Sequence, residues 1–104
     1  MNPWVCAVLL AGVVVSSPNA ARCADMTLPR NLAATCASCH GTGGVSAGGF
    51  ASLAGTKKED LVAKLMEYKA GTRQGTVMPQ LAKGYTDAQI DLIATWFAAQ
   101  PAAR

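Results

Sequence analysis

The stretch Cys36-Ala37-Ser38-Cys39-His40 sets two thiols with two residues between them and the chain's one histidine directly behind the second. Thiols and an imidazole in such a cluster can hold a metal, exchange a disulfide or anchor a group covalently. A thioredoxin-like redox pair requires a βαβ setting, and no stretch of this chain alternates with the period of a strand. A structural zinc ion takes four ligands, one more than this set offers. A disulfide between Cys36 and Cys39 would close a tiny loop and stabilise little. Covalent attachment of haem c fits the spacing, because Cys-x-x-Cys-His is its attachment signature. The two thiols reach the two vinyl groups on one porphyrin edge and form thioethers. The imidazole behind them is carried under the ring, where a nitrogen can bind iron.

His40 is therefore the expected proximal ligand, and the opposite side of the iron has several candidates. A second histidine is not available; Lys, Tyr, water or one of the four methionines could serve. Met1 lies in the N-terminal apolar segment, Met26 near the start of the folded part, and Met66 on a helix, where a methionine reads as core filler. Met78 has the better context: it falls in a loop, from which it can reach inward, and Pro79 stiffens the backbone behind it. A thioether is a soft ligand that favours ferrous iron and raises the reduction potential relative to a second imidazole.

These residues must be positioned by a small chain. At 104 residues there is room for one domain. Residues 5–15 form an uncharged apolar run of signal-peptide length, shorter than the roughly 20 residues a membrane span needs. Small residues follow, with cleavage expected between Ala20 and Ala24, so residues 1–23 read as a signal peptide and 24–104 as the domain. No Lys or Arg precedes the run, which leaves an uncleaved anchor as the rival reading. Lipidation at Cys23 is disfavoured by Arg22 in front of it. Export would suit haem c, which is attached outside the cytoplasm, and points to the periplasm, with no stable membrane span after cleavage. Without Arg22, the nine Lys and Arg fall to 8 against 6 Asp and Glu. That mild basicity, without a basic run interleaved with aromatics, gives no nucleic-acid signature.

Three helical segments read from the pattern, and no substantial sheet. The first covers 28–36, with Pro29 near its start, and runs into the cysteine motif. Residues 41–55 hold six glycines and form a loop whose backbone can approach something bulky; Val45, Phe50 and Leu53 argue against a mere linker, and the lack of a Gly-Lys-Ser/Thr ending argues against a phosphate loop. Thr56 and Glu59 suggest a capping box with a helix start near Lys57. Leu61, Leu65 and Tyr68 make its buried stripe, and Gly71 its stop. Residues 72–85 read as a loop. Thr86 and Gln89 open the last helix, which buries Ile90, Ile93, Ala94 and Phe97, with Trp96 flanking.

The chain resembles class I cytochromes c over nearly its whole presumed mature length. Within that family it is most similar to the monohaem cytochrome subunits of flavocytochrome c sulfide dehydrogenases and to related c4/c553-type domains. Cys36 to Gly41, Ser52-Leu53-Ala54-Gly55, Tyr68-Lys69-Ala70-Gly71 and Met78 to Thr86 carry the resemblance. It implies an all-α fold of three main helices wrapped around one haem c, with the first and last helices crossing; Ala33 or Ala34 against Trp96 or Phe97 are the candidates for that contact. It also implies one-electron transfer rather than catalysis by the chain itself. The partner would be an FAD-containing flavoprotein that oxidises sulfide, or other redox proteins if the chain is a free shuttle to a terminal oxidase or reductase. Lys57, Lys58, Lys69, Arg73 and Lys83 are candidates for a basic rim, and Val77 and Leu81 for an apolar contact. A catalyst or gas sensor with five-coordinate haem is the reading from another class, and needs Met78 off the iron. The chain departs from the family where a proline usually accepts the imidazole N–H; the matching place reads Ala47-Gly48-Gly49-Phe50, so a glycine carbonyl is the expected substitute.

Overall fold

The structure, a computed structural model, describes residues 26–104; the expected leader, with Cys6 and Cys23, lies outside them. The first helix, α1 (Thr27–Ala33), passes through a 3₁₀ turn at Ala34–Cys36 into α2 (Ala37–His40). The junction residues Ala34 and Cys36 keep right-handed angles, φ −59°, ψ −35° and φ −71°, ψ −23°. Thr27 to His40 is thus one helical path that tightens for a turn in its middle. Pro29 sits in its first turn, where an N–H has no partner within the helix to lose.

A second 3₁₀ turn, Thr42–Gly44, leads into the loop, and three further helices follow: α3 (Lys58–Ala70), α4 (Met78–Lys83) and α5 (Asp87–Ala98). The fold is all-α; among the described residues there is no strand, and no helix is long and apolar enough to cross a membrane. The three expected main helices are present, and α4 is an addition. The 72–85 segment, read as a continuous loop, coils into helix over Met78–Lys83 with Pro79 in its first turn, where its missing N–H and fixed φ suit a helix start.

Helix ends show where local chemistry decided. At α5, Gln89 N donates to Thr86 Oγ1 at 3.1 Å and Thr86 N to Gln89 Oε1 at 2.9 Å, the reciprocal capping box expected there. Gly71 ends α3 in the left-handed region, φ 79°. The expected box at the start of α3 does not form: Lys57 is the N-cap and no side chain caps it. Thr56 is held one residue too early, its N–H donated to the Leu53 carbonyl at 3.2 Å. Glu59 and Asp60 still occupy the first turn, where the helix dipole favours negative charge.

The core gathers around α5. Ile90, Ile93, Ala94 and Phe97 are all buried, and Ala33 of α1 and Leu61 of α3 complete the cluster with Ile93, Ala94 and Phe97. Of the two alanines considered for the contact between first and last helices, Ala33 is buried in it and Ala34 is exposed; Trp96 packs on its border, as do Leu65 and Val62. Two ion pairs join α3 to α5: Lys58 Nζ to Asp91 at 2.9 Å and Lys69 Nζ to Asp87 at 2.7 Å.

Candidate functional site

Cys36, Cys39 and His40 fall at positions i, i+3 and i+4 of the helical path, the spacing that brings side chains onto one face. That is the physical sense of the Cys-x-x-Cys-His pattern: two sulfurs a turn apart, with the imidazole beside the second. Both thiols are free, Cys36 half-buried and Cys39 exposed. Burial pushes the Cys36 thiol up, against a smaller lowering by hydrogen bonds from the Thr35 side chain and its own backbone.

Gly41 stops the helix directly after His40, at φ 85°, ψ 161°. A β-carbon there would overlap the Val45 carbonyl oxygen, so no other residue fits. The chain then folds back. Gly44 O accepts from Leu53 N at 2.7 Å and from Ala54 N at 3.1 Å, closing the loop at its neck. Gly44 also lies under Phe97, whose ring would be 2.7 Å from an added β-carbon. Farther along, Gly55 N donates to Phe97 O at 2.9 Å, tying the loop's far end to α5.

The product of this folding is one hydrogen bond: His40 Nδ1 lies 2.6 Å from Ala51 O. A carbonyl only accepts, so Nδ1 carries the proton and Nε2 is the nitrogen left for a ligand bond. The expected acceptor was a glycine carbonyl within residues 47–50; the structure places it one residue beyond, at Ala51. Phe50 meets the imidazole edge-on, with ring centroids 6.0 Å apart.

Met78, half-buried, is the first residue of α4. The segment before it is held by α3: Thr72 N and Arg73 N both donate to Glu67 O, at 3.0 and 3.3 Å. Arg73 lies over the Tyr68 ring at 5.5 Å and pairs with Glu67 at 3.0 Å. Gly75 fits between the Tyr68 ring and Pro79. Met66 is half-buried in mid-α3 and Met26 precedes α1.

Several large apolar side chains stay outside the core. Val45 and Phe50, from the loop behind His40, are 43% and 59% exposed, and Val77 and Leu81, flanking Met78, 55% and 50%. Apolar surface on both segments that carry candidate axial ligands is what a porphyrin would cover, and the two thiols, imidazole and thioether are the donor set of haem c. The residues present fit the group. Three of the five cations proposed for a basic rim are already paired: Lys58, Lys69 and Arg73 face Asp91, Asp87 and Glu67. Among the described residues, Lys57 and Lys83 form no ion pair. The side-chain types marked the thiols, imidazole and thioether in advance. Ala51 carried no such mark, since every residue has a carbonyl, and the Thr35–Tyr85 hydrogen bond joins residues 50 positions apart, beyond any local pattern.

Comparison with known proteins finds a cytochrome family and cytochrome relatives. Residues 25–97 match the family model described as cytochrome C oxidase, cbb3-type, subunit III. The chain is 44% identical over 66 residues to the cytochrome subunit of sulfide dehydrogenase of Chlorobaculum tepidum, a match covering 64% of this chain and 60% of that one. It is 37% identical over 67 residues to a thiosulfate dehydrogenase electron acceptor of Thiomonas intermedia, covering 62% and 31% of the two chains. A cytochrome c-552 of Acidithiobacillus ferridurans is 39% identical over 61 residues, covering 59% and 26%. The matches thus span from about a quarter to three fifths of these relatives' lengths.

Proposed function

Because this chain belongs to the cytochrome family described as cytochrome C oxidase, cbb3-type, subunit III, we propose that it passes single electrons through one haem c held by Cys36 and Cys39, with His40 and Met78 as axial ligands. The observation that carries this reading is the His40–Ala51 hydrogen bond, which fixes the ring and its tautomer beside two free thiols on the same helical face. Bound there, haem c supplies a one-electron Fe(III)/Fe(II) couple. Cys36 and Cys39 would each hold the group through a thioether sulfur. His40 offers Nε2, while Ala51 keeps the Nδ1 proton in place. Met78 offers a soft sulfur that favours the ferrous state. With His40 and Met78 both holding the iron, no open site would be left for a substrate, and the chain would act as an electron carrier rather than a catalyst.

The setting we propose is the periplasm, with the chain as cytochrome subunit to a flavoprotein that oxidises sulfide. The likeness to the sulfide dehydrogenase cytochrome subunit supports it. A second reading, a free carrier, draws on the likeness to a thiosulfate dehydrogenase electron acceptor. Isolation of the native protein from periplasm, with spectra before and after sulfide, separates the two. Co-purifying flavin, bleached by sulfide as the haem is reduced, supports the subunit. A small haem-only protein that sulfide barely reduces supports the free carrier. A five-coordinate ferric spectrum would overturn the ligand assignment in both.

A further inference from the structure

The principal helix contacts run α1 on α5, α5 on α3 and α3 on α4. The thiol-bearing segment and the helix that begins with Met78 therefore stand at opposite ends of a chain of contacts, and small shifts along that chain would add up between them. One side-chain hydrogen bond closes the chain into a ring. Tyr85 OH lies 2.9 Å from Thr35 Oγ1. Tyr85 follows Gly84, directly after α4, its N–H donated to Ala82 O at 3.3 Å, and its ring packs on the core cluster. Thr35 directly precedes Cys36, and its Oγ1 also lies 3.4 Å from Leu32 O; in the bond between Tyr85 and Thr35 either hydroxyl can donate.

We propose that Tyr85 and Thr35 are positioning residues, a clasp that holds the Met78 helix in register with the Cys36–His40 segment and so slows departure of the Met78 sulfur. The proposal rests on Met78 being an axial ligand. It extends that reading from which atom binds to what keeps it bound. Neither side chain needs to touch the iron. The phenol ties down the C-terminal end of α4, and the threonine anchors the tie one residue from a haem-attachment sulfur.

The test uses the intact holo-protein and two readouts: the ferric thioether absorption band, and the rate of carbon monoxide uptake by the ferrous form, which requires Met78 to leave. Wild type, Tyr85→Phe, Thr35→Val, the double variant and Thr35→Ser are compared. Tyr85→Phe and Thr35→Val should each speed uptake on the order of threefold to tenfold, the effect of one lost hydrogen bond. The double variant should be no faster than either alone, and Thr35→Ser, which keeps the hydroxyl, should restore the wild-type rate. Unchanged uptake in Tyr85→Phe with the wild-type band intact overturns the clasp alone, even if the melting temperature falls, because a merely structural bond would do just that. Effects that add in the double variant overturn it as well. Absence of the band in wild type overturns the Met78 assignment, and the clasp with it.

Discussion

His40 gives its Nδ1 proton to a main-chain oxygen at 2.6 Å, and the consequence is a single tautomer with a more basic Nε2. As the proposed second ligand, Met78 would work by softness rather than charge. Its replacement by alanine should remove the ferric thioether band and lower the reduction potential by on the order of a tenth of a volt, within the about 0.8 V over which axial ligands act; potentiometric titration of the purified holo-protein measures this. The candidate donors were legible because each carries its chemistry in its side chain; that Cys36, Cys39 and His40 share one helical face was not, since the first helix was expected to end at Cys36 and instead continues to His40. The partner of His40 was not legible to the residue. Which carbonyl comes within reach depends on the path of the loop, and that path is set by Gly41 and Gly44 rather than by anything at position 51.

Elements divide by whether local or distant forces shape them. The start of α5 is local: both hydrogen bonds of its capping box lie within four residues. Thr86→Ala should cost about 1 kcal/mol of stability, read by thermal denaturation of the holo-protein. The α4 helix is the opposite case. Six residues make too short a helix to stand alone in water, so 78–83 looks like loop in the sequence and becomes helix only when seated on α3. The start of α3 shows the converse error, a capping pattern overridden because Thr56 was needed to close the preceding turn. The loop's neck is tight as well. Gly44→Ala would press a methyl group into Phe97 and the Ala54 amide at φ 79°, and should cost about 2–4 kcal/mol from overpacking and left-handed strain combined. Circular dichroism melting decides it; a loss under about 1 kcal/mol would mean the loop is not held as described.

Across the whole molecule, the protein's own core is thin. Of the buried apolar residues described, Ala33, Ala54, Ala82 and Ala94 are alanines, and only Pro29, Leu61, Ile90, Ile93 and Phe97 are larger. A domain of this size with so little bulk needs a further staple. A Cys36→Ser/Cys39→Ser chain, which cannot bind haem covalently, should therefore lose most of its far-ultraviolet helical signal, whereas each surface ion pair contributes at most about 1 kcal/mol. Those pairs matter more for association. Lys69 and Asp87, 2.7 Å apart, nearly cancel at a distance, so Lys69→Gln/Asp87→Asn should leave the low-salt electron-transfer rate to an acidic partner within about a factor of two. Lys83→Gln removes a charge that forms no ion pair among the described residues, and should slow it several-fold, an effect that fades as salt is raised. Stopped-flow rates across ionic strengths measure both.

Because Ala51 contributes its main-chain oxygen to His40, no codon change at position 51 can delete the acceptor as such. The heritable constraint is displaced to the glycines that steer the loop, Gly41 and Gly44. In a library of random single substitutions selected for haem incorporation, position 51, exposed and anonymous, should tolerate broad replacement, while 41 and 44 should purge nearly every variant. The residue nearest the imidazole would then drift freely, and the record of its importance would be written several positions away.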